Sequence, residues 1–91
     1  MNVDEAWDVL NQELEAYKRL TRRALCDAMA TPIVVERTGP SGTVYQIEID
    51  VLWDSRERGE IRVVGSIDDG SLRAFVPVTA GFLVTSEGEI R

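Results

Sequence analysis

Sixteen acidic side chains, ten basic ones and no histidine define the chemistry open to this 91-residue chain. Histidine is the commonest general base and metal ligand near neutral pH. Without it, such work falls to carboxylates, Lys18, the arginines, Tyr17, Tyr45 and the single cysteine, Cys26. Two well-spaced carboxylates could act as acid and base, or hold a hard cation. Glu48 and Asp50 stand at i and i+2, and Asp54, Asp68 and Asp69 follow. Their spacing matches no calcium loop. Strand alternation accounts for Glu48 and Asp50, and turn chemistry accounts for Asp68-Asp69-Gly70. The pattern assigns no catalytic, cofactor-binding or metal-ligating residue, and the chain is not expected to be an enzyme.

Lys18, Arg19, Arg22 and Arg23 form a basic cluster, which a helical wheel turns away from the apolar stripe. An anion or nucleic-acid patch would use such residues. A net charge of −6 and a pI of about 4.5 oppose that reading, because the surface repels phosphate backbones and anionic membranes at long range. A solvated face with a Glu15–Arg19 pair at i,i+4 accounts for the cluster instead. Cys26 has no second cysteine or histidine to work with and reads as a small apolar residue at a helix distortion. Gly39-Pro40-Ser41-Gly42 and Gly65-Ser66 lack the lysine and spacing of a phosphate loop, and no G-x-S-x-G, C-x-x-C or H-E-x-x-H occurs.

The elements that would position these residues follow from periodicity. Val3, Trp7, Leu10, Leu14, Tyr17, Thr21, Ala24 and Ala28 recur in steps of four and three, one face of an amphipathic helix over residues 1–30. Asn2 and Glu5 have capping-box spacing, acids lead and bases follow as the helix dipole prefers, and Pro32 ends the helix. The period then changes to two over residues 31–91. Ile33 to Arg37 is a first strand. Tyr45, Ile47, Ile49, Val51 and Trp53 are the buried face of a long second one. Ile61, Val63 and Ile67 lie on a third. Asp68-Asp69-Gly70-Ser71 is a hairpin signal, Leu72 to Val76 returns, and Phe82 to Thr85 is a last short strand. The expected architecture is a single α+β domain. One long N-terminal helix packs on one face of a four- or five-stranded antiparallel β-meander, a cystatin-like or roll-like arrangement. Trp7 and Trp53 are expected in its core.

A continuous helix from Val3 to Ala30 would be about 40 Å long, longer than the ~30 Å diameter of a domain this size. Unless it breaks near Leu20-Thr21, it overhangs. Val9, Ala16, Leu20 and Met29 add a second apolar strip to it. Overhang and strip together suggest a homodimer through the helix. Val9, Ala16 and Leu20, with Phe75 beside Pro77, are the expected partner surface.

Trp53-Asp54, Ile67-Asp68-Asp69-Gly70, Ala74-Phe75-Val76-Pro77, and Phe82 with Gly88 resemble features of a group of small uncharacterised bacterial proteins. The resemblance covers about the last forty residues and implies a bacterial intracellular domain of unknown function. The start lacks the basic and apolar regions of a signal peptide, and no run is long enough to span a membrane, so a cytoplasmic address is expected. The functional expectation is a non-enzymatic protein–protein interaction domain of antitoxin, immunity or adaptor type, meeting a basic partner. The alternative is a carrier of small apolar ligands with a cleft between helix and sheet, and a carboxylate enzyme ranks below both. No cofactor, nucleic acid or membrane is expected as a partner.

Overall fold

The computed structural model describes residues 2–71 and 78–91. Helix α1 spans Val3–Lys18, α2 spans Arg22–Asp27, and a single 3₁₀ turn follows at Ala28–Ala30. Strands β1 (Ile33–Thr38), β2 (Val44–Trp53), β3 (Ile61–Asp68) and β4 (Val78–Val84) form one antiparallel sheet in the order of the chain. A bridge between Val84 and Ile90 folds the C-terminus back on β4. The helices cover one sheet face, so the chain is an α+β fold with a four-stranded meander.

Period two places the inner face correctly. Tyr45, Ile47, Ile49 and Val51 of β2 and Ile61, Val63 and Ile67 of β3 are buried, with Phe82 and Val84 of β4 beside them. From α1 come Ala6, Val9, Leu10 and Leu14, and from α2 Leu25. Helix and sheet pack closely at Gly65, at the middle of β3. A β-carbon there would lie 2.8 Å from Leu10 Cδ1 and 3.0 Å from Ile49 Cδ1. The missing side chain is what lets the helix seat.

The helix does break where Thr21 interrupts the stripe. Arg19 and Leu20 N–H groups fall back to i−3 carbonyls, Ala16 at 3.4 Å and Tyr17 at 3.2 Å, which tightens the last turn of α1. Thr21 adopts extended backbone, and its hydroxyl accepts from Ala24 N–H at 3.1 Å, capping a new helix. Helix α1 is therefore about 24 Å long, well inside the 38 Å long axis of the molecule. The overhang that suggested a second copy is gone.

Rotation of α1 also differs from the wheel. Val9, expected on a partner surface, is buried at 9% exposure, while Trp7, expected in the core, is 45% exposed. The buried arc is turned toward the flank carrying Glu5, Val9 and Glu13. Glu5 and Glu13 bond to the β1–β2 hairpin and draw that flank down onto the sheet. Trp53 is half-buried against the core as expected.

Strand β4 begins at Val78 and runs through Gly81, a longer strand than the expected Phe82 to Thr85. It pairs with β3 from Ile67↔Val78 to Ile61↔Val84. The expected return strand Leu72 to Val76, the resembling Ala74-Phe75-Val76-Pro77 step and Phe75 itself lie outside the described residues.

Gly65→Val should lower stability by about 1–3 kcal/mol through overpacking, although valine favours strands. Ser66→Val, one residue along on the other face, should change it by less than about 0.5 kcal/mol. Urea midpoints of the two variants check this sign difference.

Candidate interaction surface

Three anchors fix the layers, and each uses up charge that the sequence left open. At the start of α1, Asn2 Oδ1 accepts from Glu5 N–H at 3.1 Å, which is half of the expected capping box. The Glu5 side chain does not return to Asn2. It crosses to the β1–β2 turn and accepts from Tyr45 Oη–H at 2.6 Å, Ser41 Oγ–H at 2.7 Å and Ser41 N–H at 2.9 Å. Gly39 keeps the turn close, since a β-carbon there would sit 2.8 Å from the Glu5 carboxyl. Mid-helix, Glu13 grips the Arg37 guanidinium at 2.8 and 3.3 Å, and Arg37 Nη1 also donates to the Glu36 carbonyl at 2.8 Å.

At the far end Arg22 reaches inward. It donates to Thr85 O at 2.9 Å and Gly59 O at 3.1 Å, and its guanidinium carbon lies 5.9 Å from the centroid of the Trp53 ring. The basic cluster thus divides. Arg22 is a clamp. Lys18 pairs with Glu15 at 3.3 Å and lies over Phe82, in place of the expected Glu15–Arg19 pair. Arg19 and Arg23 are exposed. Cys26 is half-buried against the core.

The donors around Glu5 hold its carboxyl below the ordinary value of 4.5, the Tyr45 hydroxyl contributing most. Burial, then the Glu5 carboxylate, pushes Tyr45 up to about 12. Asp69 is also lowered, chiefly by the Ser71 N–H in the hairpin turn. Both shifted carboxyls move down, opposite to what a general acid at neutral pH requires. No group of three potential metal ligands occurs among the described residues. The space between helix and sheet is filled at Gly65. Trp7 lies on the surface and Trp53 under Arg22, so the two tryptophans do not line a shared cleft.

The opposite sheet face carries no layer among the described residues. Its side chains follow from the register: Glu36, Gln46 and Asp68 in one row; Val34, Glu48, Ser66 and Thr79 in the next; then Asp50 and Val64; then Leu52, Arg62 and Leu83. Val34 is 56% exposed and Leu52 42%. The bases at the lower end are already paired, Arg62 with Asp54 at 2.6 Å and Arg91 with Glu60 at 2.8 Å. Glu36, Glu48, Asp50 and Asp68 have no ion-pair partner among the described residues. Strand alternation had marked Glu48 and Asp50 as the wet face. That they have no ion-pair partner among the described residues depends on which strands neighbour one another, and no spacing reveals it.

Of the expected partner residues, Ala16 and Leu20 are exposed, Val9 is buried, and Phe75 is outside the described residues. Comparison with family models, curated proteins and solved structures finds no match to this chain. No helix is long and apolar enough to cross a membrane among the described residues.

Glu5 supplies a pH test. A carboxyl lowered in the fold contributes stability that is full above about pH 4.5 and is lost as pH falls through its folded value. Tyr45, raised in the fold, contributes stability that is full below pH 10.0 and lost as pH rises through about 12. Glu5→Gln should flatten the acid limb, leaving Asp69's part, and Tyr45→Phe the alkaline limb, leaving the part of Tyr17, whose hydroxyl is also raised, chiefly by burial. Urea unfolding across pH checks both.

Proposed function

We propose that this chain is a non-enzymatic protein–protein interaction module, of adaptor, antitoxin or immunity type, whose uncovered sheet face receives a basic partner segment. The observation that carries the reading is the set of carboxylates Glu36, Glu48, Asp50 and Asp68, spread over three neighbouring rows of that face. They share a face with Val34, Leu52 and Val64 and have no countercharge among the described residues. Alternating acidic and apolar side chains suit a partner that brings lysine or arginine together with apolar contacts. The overall charge of −6 adds long-range attraction for such a partner. A second copy through Ala16 and Leu20 is the competing occupant, and its support is now confined to those exposed side chains.

A peptide of alternating valine and lysine is a suitable probe. Exposed ion pairs contribute about 0.2–1 kcal/mol each, so Glu36→Gln/Glu48→Gln/Asp50→Asn should weaken binding about tenfold. Neutralising Asp4, Asp8 and Glu87, away from the face, should leave affinity within about twofold. Calorimetric titration compares the two triple variants. Equal losses in both would contradict the reading, since attraction would then come from net charge alone.

A further inference from the structure

The two edges of the sheet are finished differently. Beside the end of β4 the C-terminal residues fold back. Arg91 N–H donates to Leu83 O at 2.8 Å, Leu83 N–H to Arg91 O at 3.2 Å and Thr85 N–H to Glu89 O at 2.7 Å. Beside β1, the other edge strand, no described residue pairs. One bond fixes where its free groups point. Gly39 N–H donates to Thr43 O at 2.8 Å, which makes those two a bonded pair. Bonded and non-bonded pairs alternate along an antiparallel ladder. Arg37–Tyr45, Val35–Ile47 and Ile33–Ile49 are therefore bonded, and Val34, Glu36 and Thr38 turn their N–H and C=O groups away from β2. All three residues are exposed, Val34 at 56%. Among the described residues, the one bond to these outward groups is from Arg37 Nη1 to Glu36 O, at 2.8 Å.

Both flanks of this edge have room and character. The helices pack chiefly over β2, β3 and β4 and leave β1 at the margin. On the helix side, a groove of about 400 Å³ lies between Val9, Gln12 and Glu13 of α1 and Arg37 and Thr38 of β1. On the outer side, the rows that reach the edge begin Glu36, Gln46, Asp68 and Val34, Glu48, Ser66. Their three carboxylates have no ion-pair partner among the described residues. Successive side chains of a strand point to opposite faces. A strand laid along β1 would send one set into the groove and the other onto the acidic rows.

We infer that the open edge of β1 takes up an extended segment of a partner protein as a fifth strand, with apolar side chains toward the groove and lysine or arginine against Glu36 and Glu48. Backbone bonds to Val34, Glu36 and Thr38 supply affinity, and the alternating side chains supply selectivity. Charge selects both the edge and the occupant. Strand β4 carries no carboxylate for such a segment, even where Thr79 and Gly81 lie beyond the C-terminal pairing. The inference rests on the basic-partner reading of the outer face and adds the strand that holds the partner. A second copy is the poorer occupant, because it brings another charge of −6 and a second Glu36 to the same edge. Charged residues on an edge strand guard against such self-pairing.

The test uses the isotopically labelled full chain and the probe acetyl-Val-Lys-Val-Lys-Val-amide, read by amide chemical shifts and hydrogen exchange. Three peptides serve as comparisons: one with glutamate at both lysine positions, one N-methylated at its valines and one N-methylated at its lysines. In the free protein, the Val34, Glu36 and Thr38 amides should exchange at least tenfold faster than those of Val35 and Arg37. Near saturation the probe should slow them at least tenfold and leave Thr79 and Gly81 unchanged. The glutamate peptide and one of the methylated peptides should each bind at least tenfold more weakly. Glu36→Gln should weaken binding about threefold, as an exposed pair does. The Glu36 side chain makes no ion pair or hydrogen bond among the described residues, so its variant keeps the fold, which its spectrum verifies. Free-protein amides at Val34 and Glu36 as protected as Val35 would show the edge already covered and overturn the inference. Shifts confined to Glu48, Asp50 and Ser66, or two methylated peptides that bind like the parent, would overturn the edge and leave the basic-partner reading standing. A probe that binds nowhere would overturn both. Concentration-dependent protection of Val34 and Glu36 without peptide would assign the edge to a second copy and overturn the inference.

Discussion

Leu10 and Leu14 meet the sheet over Gly65, and the rest of the molecule is arranged around that contact. Burial of an apolar stripe is the main force available to a chain this short. One helical layer can press on one face of a sheet, and here it presses where a single missing side chain lets it come close. The α2 segment and the 3₁₀ turn extend the same layer. The helices of the described chain are all spent on the inner face, so the outer one is left open.

On the helical layer, Glu5 is held by a tyrosine and a serine, Glu13 by Arg37 and Glu15 by Lys18. At the lower rim, Asp54 and Glu60 have arginine partners. On the outer face, Glu36, Glu48, Asp50 and Asp68 have no ion-pair partner among the described residues. Surface ion pairs contribute little stability individually, so the matched acids act mainly by setting geometry. Glu5 and Glu13 rotate α1 toward the β1 side, and Arg22 clamps the other end.

Much of this was readable before any coordinates. The change of period at Pro32 marks the boundary between helical and strand segments, and alternation from Tyr45 to Trp53 names most of the β2 core. The helix break was legible only as the alternative to one helix over residues 1–30, from a polar Thr21 in the stripe; the cap that Thr21 gives α2 was not. Other features were not. A wheel weighs apolarity and places Trp7 inside, but Glu5 reaches forty residues along the chain to Tyr45 and turns the helix away from that solution. Val9 was misplaced for the same reason. Gly81 is a strand residue opposite Val64, so β4 starts well before the expected Phe82. The acidic outer face is a relation between strands, set by register, so single-strand patterns show only that Glu48 and Asp50 are wet.

The central claim is that the fold buries one sheet face and presents the other. Methyl relaxation in the presence of a soluble gadolinium chelate measures it directly. Strong enhancement at Val34, Val44 and Leu52, with Ile47, Ile49, Val63 and Ile67 protected, is the predicted result. Protection of Val34 and Leu52 to the level of Ile47 in the free protein would contradict it, because the outer face would then already be covered.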